Sequence, residues 1–107
     1  MRQPFAHDAV IALAPDADIA APGGAVTAEL CGHWEHPPPC PLAPHHTAAQ
    51  SRGDQVHLRI LFATEPEREV EVRARIGRAL AAWDVRSCVA GEVRPDERAH
   101  AGRLMVS

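Results

Sequence analysis

The chain has 107 residues, 46% of them apolar, and a formal charge of −3. That length suits one domain with a single modest core, and the interspersed charges exclude the basic stripe of a nucleic-acid binder. No run approaches the roughly 20 apolar residues of a membrane span. Ala9–Ala14, ended by Pro15 and Asp16, is about half the length of a signal core, so a soluble, cytoplasmic protein is expected.

All 11 basic residues are arginine, and Lys, Asn and Tyr are absent. This usage points to the codon bias of a GC-rich bacterial genome. Arginines and prolines are therefore weak functional signals here. A local concentration of Cys and His is not favoured by that bias and keeps its meaning.

In chain order, residues 1–24 read as a partly irregular N-terminal segment, with Ala9–Leu13 as a short edge strand and Asp16–Ala21 as loop. Ala25–Cys31 alternates Val26, Ala28 and Leu30 with Thr27, Glu29 and Cys31, the period-2 pattern of a strand. That reading places Cys31 and His33 on one face. His36–Ser51 reads as irregular, because Pro37, Pro38, Pro39, Pro41 and Pro44 oppose helix and remove ladder donors. Ser51-Arg52-Gly53-Asp54 is a turn, and Asp54–Ala63 a strand with Val56, Leu58, Ile60 and Phe62 on its apolar face. Thr64 and Glu67 have capping-box spacing. They open a helix whose core stripe is Val72, Ile76, Ala79, Leu80 and Trp83, with Arg68, Arg73, Arg75 and Arg78 mostly outward. Asp84–Val93 returns as a strand, with Val85, Val89 and Val93 on one face and Cys88 and Ala90 on the other. Arg94–Ala99 reads as polar loop, and residues 96–107 as a tail or short strand.

These elements predict a single α/β (α+β) domain, 1–107, with its core in 25–95. The architecture is a small two-layer sandwich. One amphipathic helix, about 65–83, packs on a mostly antiparallel sheet, and a Pro/His/Cys-rich loop spans about 36–52. The second sheet face, bearing Cys31, His33, His57, Arg59 and Cys88, is left uncovered. It is open to solvent, to a site, or to a homodimer or protein partner.

The chemistry concentrates in Cys31, His33, His36, Cys40, His45 and His46, spaced C-x-H-x2-H-x3-C-x4-H-H. Thiolate and imidazole are the preferred ligands of zinc and of softer transition metals, and three cysteines in a reducing cytosol suit metal binding better than disulfides. Cys31, His33, Cys40 and either His45 or His46 make a tetrahedral Cys2His2 set. Adjacent residues on extended chain point apart, so only one of the last two joins it. Zn2+ is the expected ion, with Cu+ and Ni2+ as alternatives. The expected role is a metal-stabilised interaction module or a metal carrier.

An alternative is a metal-dependent enzyme with an open zinc position and Glu35 as general base. A third reading is a metal-free dimerising domain. His33-Trp34-Glu35 with Pro39-Cys40 falls short of the H-x-E…P-C-x-x-C pattern of zinc deaminases. Ala43 stands at the second cysteine position, and only three residues separate Glu35 from Pro39. His57 and Cys88 are possible additional ligands from neighbouring strands.

Overall fold

The computed structural model describes residues 2–14, 16–31 and 43–105. Among these, the chain runs β1 (Gln3–Ala12), α1 (Ala21–Cys31), β2 (His45–Arg52), β3 (Gln55–Thr64), α2 (Glu69–Leu80), β4 (Asp84–Gly91) and α3 (Arg98–Met105), with short 3-10 turns leading into α2 and α3. The sheet order is β2-β3-β1-β4, and every neighbouring pair is antiparallel. The β-α-β-β-α-β order with β1 and β3 central is the split βαβ, or ferredoxin-like, topology. It is the α+β sandwich expected from the sequence, with one more helix on the first sheet face and another on the second.

β1 is a ten-residue central strand, not a short edge strand. Phe5, His7, Ala9 and Ile11 alternate onto the face that meets α1 and α2, while Ala6 and Asp8 face α3. Its interior-facing alanines and one histidine carry little hydrophobic signal, which is why sequence patterning undervalues it.

Residues 25–31, read as a strand, belong to α1. Pro22, Val26 and Leu30 are buried at i, i+4 and i+8, a helical stripe. Asp18 starts the helix by accepting the Ala20 N–H on Oδ1 at 2.9 Å and the Ala21 N–H on its carbonyl. Pro22 sits in the first turn, where a missing N–H costs nothing. The Gly23-Gly24 pair lowers intrinsic helix propensity, so α1 is held by burial against the sheet and α2.

The loop expected over residues 36–52 is also revised. Residues 45–52 form the edge strand β2, paired from His45↔Phe62 to Arg52↔Gln55. The prolines at 37–41 lie outside the described residues, and Pro44 precedes the strand, so none breaks the ladder. A two-residue hairpin, Gly53-Asp54, joins β2 to β3. Gly53 has φ +66° and no non-glycine residue described has positive φ. This fits a type II′ turn, which requires glycine at its first central position.

β3 and α2 follow the sequence closely. Val56, Leu58, Ile60 and Phe62 are buried on one face of β3, against Val72, Ile76 and Leu80 of α2 and Val26 and Leu30 of α1. Ala79 and Trp83 pack at the margin of this core. Two local details differ. Thr64 is the buried last residue of β3 rather than a helix cap, and the 3-10 turn Pro66–Arg68 begins after Glu65 with no side-chain cap. Arg73 points inward rather than to solvent: its guanidinium lies over the Phe5 and Phe62 rings at 5.8 and 5.3 Å.

On β4 the register slips by one residue between Val10 and Ile11, so Val85 pairs with Ile11 whereas Val89 pairs with Asp8. The predicted common face of Val85 and Val89 is therefore broken by a bulge. Cys88, paired with Ala9, faces the α1/α2 core and not the second sheet face.

The predicted polar loop and tail form a 3-10 turn (Pro95–Glu97) and α3. α3 covers part of the second sheet face. Ala6, Leu61 and Ala63 are buried there with Leu104, and Val93 and Met105 pack beside them. Glu97 and Arg59 clamp this layer. Arg59 donates through Nε and Nη2 to the two Glu97 carboxylate oxygens at 3.1 and 2.7 Å, and through Nη1 to both Asp8 oxygens at 3.0 and 2.8 Å. Its Nη2 also donates to the Glu92 carbonyl. Gly91 lies against this node. A Cβ there would meet the Asp8 carboxylate and the Arg59 guanidinium, so a larger residue at 91 has to displace these two side-chain ends.

Candidate functional site

Three polar groupings stand out. The first is the part of the Cys/His segment that the structure describes. Cys31 is the last residue of α1, and His45 is the first of β2. The Ala43 N–H donates to the Leu30 carbonyl at 3.4 Å, so the two ends of the intervening stretch are held side by side. The Ala63 N–H donates to the Pro44 carbonyl at 3.0 Å, which fixes the second end against β3. His33, His36 and Cys40, together with Glu35, lie outside the described residues.

His45 and His46 diverge as adjacent strand residues must. The half-buried His45 faces α1. Its Nδ1–H donates to the Ala43 carbonyl at 3.1 Å, which leaves Nε2 to accept from the Thr27 hydroxyl at 2.9 Å. Burial pushes its pKa down, and the bond to Ala43 only partly opposes this, so the ring is neutral. His46 lies on the opposite face of the sheet. Its ring packs against His100 of α3 at 4.6 Å between centroids. Thus His45 has both nitrogens engaged and His46 turns away. Nearby on the α1 side of β2, the Thr47 hydroxyl is buried with no hydrogen-bond partner among the described residues.

The second grouping was not anticipated. His7, buried under α2, brings Nε2 to 3.1 Å from the Cys88 sulfur. Arg73 Nη1 donates to the Ala6 carbonyl at 2.6 Å and to His7 Nδ1 at 3.0 Å, while Arg73 Nε is paired with Glu69 at 2.8 Å. An arginine can only donate. His7 Nδ1 must therefore be the acceptor, which puts the ring proton on Nε2, directed at sulfur. In that tautomer His7 cannot take a proton from the thiol, as a Cys–His nucleophilic pair requires, and Nε2 has no lone pair for a metal. Burial, followed by the Arg73 charge, lowers the His7 pKa against a smaller opposing effect of Asp8. Burial also pushes the Cys88 thiol up. Both groups are neutral as placed. The chain Glu69–Arg73–His7–Cys88 fastens α2 to β1 and β4. In sequence, the only hint of it was two titratable residues on apolar strands.

The third grouping is Arg59 with Asp8 and Glu97. It engages the donors of one guanidinium with two carboxylates and the Glu92 carbonyl. His57 lies on the same sheet face, half-exposed and away from Cys88. Among the described residues, neither joins the other, His45 or His46. Among the described residues, no group of three or more His, Cys, Asp or Glu side chains is arranged around a common metal position, and no helix is long and apolar enough to cross a membrane. The chain matches no family model, no curated protein and no solved structure.

Proposed function

We propose that this chain is a small transition-metal-binding protein, with Zn2+ as the first ion, and that the ligands come from the segment beginning at Cys31. The observation that carries the reading is the pinning of that segment's ends by the Ala43–Leu30 hydrogen bond. It holds the residues that flank the thiol- and imidazole-rich sequence, Leu30 and Ala43, next to each other. His46 leaves the candidate set because it lies across the sheet, and His45 is held in reserve by Ala43 and Thr27. The donor set becomes Cys31, His33, His36 and Cys40, a Cys2His2 complement that suits tetrahedral zinc. A metal there would staple the α1–β2 connection in a domain with a thin core. The role is that of a metal-stabilised module or carrier.

The test is elemental analysis of the untagged chain purified without chelator, alongside Cys31→Ser, Cys40→Ser and Cys88→Ser. The expected result is about one zinc per chain, lost in the first two variants and kept in the third. Unfolding on chelation assigns a structural ion, and retained folding with ready exchange assigns a carrier. Equal metal content in all three variants would overturn the ligand set. No metal after reconstitution under reducing conditions would overturn the function.

A further inference from the structure

His46 and His100 are far apart in sequence, one on the edge strand β2 and one on the last described helix α3. The fold sets their rings 4.6 Å apart at an interplanar angle of 54°. His7 and His45 have both ring nitrogens occupied by protein groups. The four nitrogens of the His46–His100 pair make no hydrogen bond to any described residue. Two imidazoles in contact with unspent nitrogens are chelating donors, and imidazole suits zinc, copper and nickel. A metal lies about 2.0–2.1 Å from each nitrogen, which puts two tetrahedral donors roughly 3.3 Å apart. Rotation about χ2 is the freedom by which two rings at this centroid separation would each bring one nitrogen to a shared ion. His46 is exposed and His100 half-exposed, so an ion has access from solvent.

We infer that His46 and His100 form a second, two-histidine site for a borderline divalent cation, completed by water and separate from the donor set Cys31, His33, His36 and Cys40. Among the described residues no third His, Cys, Asp or Glu groups with the pair, so these residues supply two ligands and not a closed shell. Such a site is exchangeable, in contrast to a four-ligand structural one. Its structural consequence is a clip between β2 and α3, at a position where no other side-chain bond joins those two elements among the described residues.

The test titrates Ni2+ into the full-length reduced chain and follows each histidine ring by NMR, since octahedral Ni2+ is paramagnetic. The expected result is that the His46 and His100 signals broaden together. His46→Gln or His100→Gln should each weaken nickel binding at this site by about tenfold or more, because the second donor no longer acts intramolecularly, and should release the signal of the remaining partner. His57→Gln, a lone histidine on the same sheet face, should change nothing. Far-ultraviolet circular dichroism of each variant confirms that the fold persists. Broadening confined to His33 and His36 would overturn this pair and leave the proposed loop site standing. Broadening confined to His46 and His100 would do the reverse. Persistence of the His46 response after loss of His100 would overturn the chelate.

Discussion

Replacing Arg59 by Met should destabilise the domain by about 2–4 kcal/mol and loosen α3 from the sheet. The magnitude follows from the unequal exposure of its two partners. Side-chain exposure is 18% for Arg59, 13% for Glu97 and 43% for Asp8. The Asp8 arm lies near the surface limit, where an ion pair contributes about 0–1 kcal/mol. The Glu97 arm is a two-pronged pair nearer the buried limit, where removing one partner costs about 3–5 kcal/mol because the other charge is stranded. Rim screening moves the sum below that upper figure. Met keeps most of the stem that lies on the sheet, so the loss reports the charge rather than packing. Urea unfolding of wild type, Arg59→Met, Glu97→Gln and the double variant at pH 7 measures it, with the coupling read from the cycle.

Acid provides an independent check on the same node. The Arg59 hydrogen bonds hold the Glu97 carboxyl at about 2, far below its ordinary value of 4.5, with help from the Arg94 amide. A depressed carboxylate stabilises the fold above its unfolded pKa and loses that contribution as pH falls through the folded value. The gap between wild type and Arg59→Met should therefore be full above about pH 5. It should narrow between about pH 4.5 and 2, by about 2 kcal/mol once solvent screening is allowed for. A variant within about 0.5 kcal/mol of wild type at pH 7, or a gap indifferent to acid, would refute the reasoning.

Ile76→Ala should cost about 2–5 kcal/mol in denaturant unfolding, since Ile76 is fully buried between α2 and β3; a negligible loss would mean that α2 presents another face. Thr47→Val keeps the β-branched shape and removes a buried hydroxyl that has no partner among the described residues, so a gain of about 1 kcal/mol is expected in the same assay, and a loss would reveal a partner for that hydroxyl. His7 has a folded pKa below its ordinary 6.5, chiefly through burial. Its neutral form stabilises the fold above about pH 6.5, and this is lost as pH falls toward the folded value. His7→Gln should therefore flatten the stability profile below about pH 6.5; an unchanged slope would assign the acid sensitivity elsewhere.

Much of the domain was legible because some segments obey one period without interruption. Val56, Leu58, Ile60 and Phe62 alternate, and Val72, Ile76 and Leu80 recur at four, so β3 and α2 are local facts of the chain. Gly53 marks the hairpin for an equally local reason, its positive φ. α1 is ambiguous in the sequence because Val26, Ala28 and Leu30 satisfy the strand period while Pro22, Val26 and Leu30 satisfy the helical one. Seven residues cannot separate the two readings, and burial against α2 decides. The second sheet layer left one sequence trace: Leu61 and Ala63 continue the apolar run of β3 on the face that alternation assigns to polar residues. A strand buried on both faces reads that way.

The site divides along the same line. Residue type and density alone marked Cys31–His46 for metal chemistry, because ligand preference is a property of the side chain. Partner identity is a property of the fold. No spacing rule joins His7 to Cys88 and Arg73, or His46 to His100, across separations of 54 to 81 positions. Strand register and the return of α3 onto the sheet create those contacts. The same register turns His45 toward Thr27 and His46 toward α3, so two neighbours that look equivalent in the sequence stand on opposite faces of the protein.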